Sequence, residues 1–182
     1  SALAGCYVGF GIILIFSIGG PISVSGNTAY LKLIMGASFG IALSLVIFAG
    51  SELFTGNNMV FAVARLKNRV AASDIFKLFF LCYLGNLAGS ALLAWMVVNS
   101  GSLGESTAKL ILHVSILKAK PEFYELILRG VLCNWLVCLA VWVSGRTQND
   151  AAKLILIFWC LFAFIASGFE HCVANMTLLS MG

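Results

Sequence analysis

Glu170 and His171 stand side by side behind sixteen uncharged residues, Leu154 to Phe169. A carboxylate and an imidazole can hold or move a proton, and a histidine's unperturbed pKa of about 6.5 lets it do either in the physiological range. At membrane depth an ionised side chain costs at least about 2.5–3.5 kcal/mol even on lenient insertion scales, so such groups need a reason to be there. Few other polar residues share these apolar segments: Glu52, Thr55, Asn86, Asn134 and Asn175. For the two glutamates, holding a bent backbone competes with any chemical role. His171 is the only histidine within a span, since His113 falls in a connecting segment, and it reads as the functional group of the set.

The elements that must position these residues are membrane helices. Of the 182 residues, 61% are hydrophobic and only 10% charged, and mean hydropathy is +1.03. Globular domains carry about a quarter charged residues, and uncharged stretches near twenty residues recur here, as a membrane span requires. An all-α integral membrane protein follows, because a spanning segment must satisfy its own backbone hydrogen bonds. The short alternating runs of a barrel are missing. The first apolar run lacks the basic flank of a signal peptide. Six cysteines (6, 82, 133, 138, 160 and 172) lie inside apolar runs without a CxxC pair, as packing residues would, and imply neither a disulfide frame nor a metal site. No cofactor is implied. The net charge of +4 belongs to loops, and no nucleic-acid partner follows from it. Residues 1–182 read as one transmembrane domain, truncated at both ends.

Candidate spans cover 2–20, 33–64, 78–98, 126–145 and 154 onward, joined by polar, Gly-rich connections such as 19–28 and 99–107. The second is too long. Its 32 residues carry one charge, Glu52, and as a straight helix would reach about 48 Å across a core of about 30 Å. Within it lies GSELFTGNNM (50–59), where Gly56, Asn57 and Asn58 favour a turn. A helix broken at membrane depth is the expectation, tolerated where the freed backbone faces protein or a water-filled cavity. The fifth span repeats the theme with EHCVAN (170–175). Each half has an apolar helix, an acid, a polar stretch and an Asn-Met dipeptide (58–59 and 175–176), and paired interruptions of this kind point to a midplane transport site. Arg65, Lys67, Arg69 and Lys77 put the 65–77 loop on the cytoplasmic side, with Arg146 and Lys153 in agreement. Lys109, Lys118, Lys120 and Arg129 fall on the opposite side and could collect anions.

Gly-x-x-x-Gly spacings at Gly5–Gly9, Gly36–Gly40 and Gly85–Gly89 let helices approach closely where lipid supplies no hydrophobic drive. Phe39 with Leu43, and Phe164 with His171, share helix faces by spacing and would narrow a pore if those faces line one.

Four stretches, SFGIALSLVIFAGSELFTGN (38–57), LGNLAGS (84–90), GVLCNWLVCLAVW (130–142) and FIASGFEHCVANM (164–176), closely resemble the formate/nitrite transporter family, with the packing residues of helices four and five nearest its nitrite-transporting branch. The resemblance runs from about residue 2 to 182. It implies an aquaporin-like bundle with broken helices 2 and 5 and an inverted repeat, here without the N-terminal amphipathic helix and the sixth helix. It further implies a homo-pentamer with one pore per protomer in a bacterial inner membrane. Carried over by motif, Phe39, Leu43, Leu53 and Phe54 would form a cytoplasmic constriction, with Thr55 beside them. Asn134, Val137 and Phe164 would form the outer one. His171 would lie between as a proton relay opposite Thr55, with Glu170 and Asn175 holding its loop and Lys118 (or Lys120) in the anion vestibule.

The expected function is a multi-pass channel or transporter for small monovalent anions, nitrite foremost, coupled to protons and without enzymatic activity. Formate or hydrosulfide is the alternative within the family. From another class, a redox subunit binding haem or quinone would need a second intramembrane histidine facing His171. A purely structural protein would show no flux.

Overall fold

Backbone in hydrocarbon must bond to itself, and the chain does so as helices. The computed structural model describes residues 1–26 and 28–182, which form nine α-helices, one short 3-10 turn (Thr28–Tyr30) and no strand among the described residues. In chain order they are α1 (Ala2–Val24), α2 (Leu31–Ser38), α3 (Ile41–Phe48), α4 (Phe54–Leu66), α5 (Ala72–Asn99), α6 (Glu105–Lys118), α7 (Phe123–Ser144), α8 (Asp150–Ala166) and α9 (Cys172–Met181). Four segments, α1, Thr28–Phe48, α5 and α7, are long and apolar enough to cross a membrane. Large apolar side chains such as Trp95, Trp135 and Phe80 stand exposed on the bundle's outside.

α1 is the central strut. It packs on α5, α6, α2, α3 and α9, while α8 lies against α7 and α2. The close α1–α5 contact rests on glycine. A methyl group at Gly5 would overlap the Asn86 carbonyl, and one at Gly89 would overlap that of Ala2. The Gly36–Gly40 pair faces Phe162 and Phe158 of α8 more loosely, since added methyl groups would meet these residues at 3.2 and 3.4 Å.

Three segments depart from the expected spans. GGPISV continues α1 to Val24 with Pro21 inside, because Gly19 and Gly20 let Met35, Leu110 and Thr107 close on that turn. The connection after α5 contains α6, a helix whose stripe of Thr107, Leu110, Ile111 and Ser115 is buried, a spacing that faces one side. The second span breaks at Ala49–Leu53, and Gly56, Asn57 and Asn58, expected as the turn, are helical in α4. The cause lies just upstream. Gly50 takes φ +68, a left-handed conformation glycine adopts at no steric cost, and the Asn86 side chain accepts from Phe54 N at 2.9 Å.

The two breaks are the same structure twice. Gly168 takes φ +74 as Gly50 takes +68. Leu53 and His171 are both extended residues capping the next helix, at φ/ψ −102/124 and −101/112. Ser51 N bonds Val46 O at 3.0 Å, and Phe169 N bonds Phe164 O at 3.0 Å. Each acid then accepts from an asparagine five residues on: Asn57 Nδ2 to Glu52 Oε2 at 2.8 Å, Asn175 Nδ2 to Glu170 Oε2 at 2.9 Å. The expected pairing through Asn-Met is thus one residue out of step, since Asn57, not Asn58, corresponds to Asn175.

Gly89→Ala should force α1 away from α5 and cost about 1–3 kcal/mol, read as a lower midpoint of thermal unfolding in detergent. An unchanged midpoint would mean that the contact is slack.

Candidate functional site

His171 is the N-cap residue just before α9, and the break puts it there. Its Nδ1 accepts from Ala174 N at 3.0 Å, closing the first turn, a role normally filled by Ser, Thr, Asp or Asn. Nδ1 therefore carries a lone pair, and the neutral ring's proton sits on Nε2. Nε2 lies 3.0 Å from Thr55 Oγ1 in the first turn of α4. Both residues are buried, at 5% and 4% exposure, and the Nε2–H donates to Thr55. This contact also brings the N-termini of α4 and α9 together, two positive dipole ends pointed at one place.

An apolar plug surrounds the imidazole. The Phe164 ring stacks on His171 with centroids 5.7 Å apart and planes 16° from parallel. Phe39 meets Phe164 edge-on at 5.8 Å. Together with Leu43, Leu53 and Val137 these groups leave a space of only about 10 Å³, about one water probe. On one side, bordered by His171, opens a chamber of about 230 Å³ containing Lys118, Glu170 and Asn175. On the other, bordered by Leu43 and Leu53, lies a cleft of about 340 Å³ with Ser51, Glu52 and Asn57. Chamber, plug and cleft share walls in that order, which lays out a path through the bundle.

Each chamber holds one acid–asparagine pair, and they differ in their cations. Lys118 Nζ forms an ion pair with Glu170 Oε2, the oxygen that also accepts from Asn175. Glu52 has its Asn57 bond and no ion pair among the described residues.

Several expected neighbours separate. Phe39 joins Phe164 in a single plug rather than forming a distinct constriction with Leu43, Leu53 and Phe54. Phe54 turns outward to Phe79 and Tyr83, at 5.4 and 5.3 Å between centroids. Asn134 is not in the plug but in a groove of about 620 Å³ that Thr55, Glu170 and His171 also line, where its Nδ2 approaches Cys138 Sγ at 3.5 Å and its Oδ1 is buried without a partner among the described residues. Lys118, not Lys120, lines the chamber. His113 is exposed on α6, apart from buried His171, so the two do not form the facing pair a bis-histidine haem needs. The sequence assigned no role to two contributors. Asn86, fully buried, bonds Phe54 N, Glu52 O and Ser1 O and so satisfies the first break. Lys32, at the start of α2, lines the Lys118 chamber.

Comparison with known proteins shows the family. The family described as formate/nitrite transporter matches residues 1–182. The nitrite transporter NirC of Escherichia coli K12 is 46% identical over 182 residues, covering 100% of this chain and 66% of that protein. The formate channel FocA of Haemophilus influenzae is 35% identical over 156 residues, covering 83% of this chain and 54% of that protein. The chain thus spans 66% of the length of NirC. Among solved structures, an FNT family ion channel superposes with a TM-score of 0.91 at 43% identity, covering 100% of this chain and 71% of the other. A pentameric formate channel with formate bound gives 0.87 at 26% identity, covering 99% and 71%. The chain belongs to the formate/nitrite transporter family.

Proposed function

We propose that the protein containing this chain is a pH-dependent channel or transporter for small monovalent anions in a bacterial inner membrane, nitrite first and formate second, assembled as a homo-pentamer. The observation that carries this reading is the path itself: two chambers joined through an apolar plug, with one polar donor pair, His171 and Thr55, inside it. Nitrite ranks first because NirC, a nitrite transporter, shares 46% identity against 35% for the formate channel FocA.

A bare anion between Phe39, Phe164, Leu43, Leu53 and Val137 would face a large desolvation penalty. Two features reduce it. The ends of α4 and α9 present positive partial charge. The His171 Nε2–H and the Thr55 hydroxyl can turn from each other to an anion's oxygens. Taking up a proton removes the remaining charge: one nitrite and one proton cross as nitrous acid. His171 serves as a fixed neutral donor, because a proton added to Nδ1 would displace the Ala174 N–H and open the first turn of α9. This differs from a relay through imidazolium, and pH dependence then resides in the anion and the plug. Lowering the pH raises the share of neutral acid, so flux rises as pH falls.

His171→Asn keeps an oxygen for Ala174 N and an amide donor for the anion. Its nitrite uptake in proteoliposomes should stay within about tenfold of wild type and still rise as pH falls from about 7 to about 5. His171→Ala loses the cap, about 1 kcal/mol, and the donor, and should transport far less. A flat pH profile in His171→Asn would instead establish the imidazole as the proton carrier.

Phe164→Ala removes the ring that contacts both Phe39 and His171. Uptake should rise several-fold, with discrimination against larger monocarboxylates lost. Unchanged selectivity would show that Phe164 does not form the plug.

A further inference from the structure

The chamber beside Lys118 is far larger than a three-atom anion needs, at about 230 Å³. Its walls are mainly aliphatic or aromatic: Ile15, Met35, Leu110, Ile165, Phe169 and Leu178. Three charged side chains line it, Lys32, Lys118 and Glu170. Lys118 and Glu170 neutralise each other, and Asn175 occupies the same carboxylate oxygen. Lys32 is different. It is exposed and has no acidic partner among the described residues. One uncompensated cation at the rim of an apolar chamber recognises a molecule with one anionic head and an apolar body.

The geometry points to a binding site for an amphiphilic monoanion, its head on Lys32 and its short alkyl or aryl body along the Met35, Leu110 and Phe169 wall. Such a ligand fills the chamber and stops at His171, because the space beyond is about 10 Å³. It therefore blocks passage from this side. That the block acts on transport rests on the function proposed above, which makes the chamber a pore mouth; binding itself does not.

Straight-chain alkanesulfonates, butane- to octanesulfonate, are the probe, since they stay ionised and carry no protons through lipid. Two readouts are taken on the full-length protein: thermal stabilisation in nanodiscs, and inhibition of nitrite uptake with the sulfonate on the Lys118 side. Affinity should tighten about fourfold per added methylene until the body fills the chamber. Lys32→Gln should weaken every member about tenfold while leaving the factor per methylene unchanged, and Lys32→Arg should restore binding. Met35→Gln should reduce the factor per methylene without changing the response to Lys32. Equal affinity in wild type and Lys32→Gln, or affinity independent of chain length, overturns the site. If hexanesulfonate binds as described while the wild type takes up no nitrite, the site stands and the transport reading fails. If the wild type takes up nitrite and no sulfonate binds, the transport reading stands and this site fails.

Discussion

A helix interrupted inside hydrocarbon frees N–H and C=O groups that lipid cannot satisfy, each at a cost of several kcal/mol. The structure depends on how its two interruptions meet that constraint. Both use a left-handed glycine, an extended capping residue, and a glutamate bonded to an asparagine in the next helix. With the backbone so arranged, α4 and α9 point their N-termini at one another across the bundle, and His171 meets Thr55. The first break draws its outside support from Asn86 on α5, a helix whose close contact with α1 rests on Gly5 and Gly89.

The two halves are alike in backbone and unlike in chemistry. Leu53 caps the first short helix and His171 the second. At the capping position one break thus presents an apolar side chain, while the other offers an N–H donor. The chambers differ in the same way, with Lys118 bound to Glu170 on one side and Glu52 bound only to Asn57 on the other. A symmetric frame carrying asymmetric side chains gives two chambers of different charge, one on each side of the plug.

Much of this was legible in the residues. Length and polarity favoured a break in the second span over a helix ending near Phe54, and His171 stood out as an imidazole at the end of an uncharged run. Glu170, Asn175 and Thr55 fell where the resemblance put them, around His171. The position of the first break was not legible, because Gly56 and Asn57 are turn-favouring residue types while the deciding support is a distant residue, Asn86. α6 was hidden by its polar face, and its buried stripe is short. The merging of Phe39 with Phe164 depends on how α2 and α8 cross, which spacing along either helix does not contain. Lys32 takes its meaning only from the chamber that surrounds it.

The central claim is that a small monovalent anion crosses the plug together with one proton. Its most direct test uses proteoliposomes of the full-length protein with a trapped pH indicator. Adding external nitrite at acidic pH should acidify the lumen faster than in protein-free vesicles, one proton per nitrite taken up. Nitrite entry that generates an electrical current without lumenal acidification, or acidification no faster than in empty vesicles, would contradict the account.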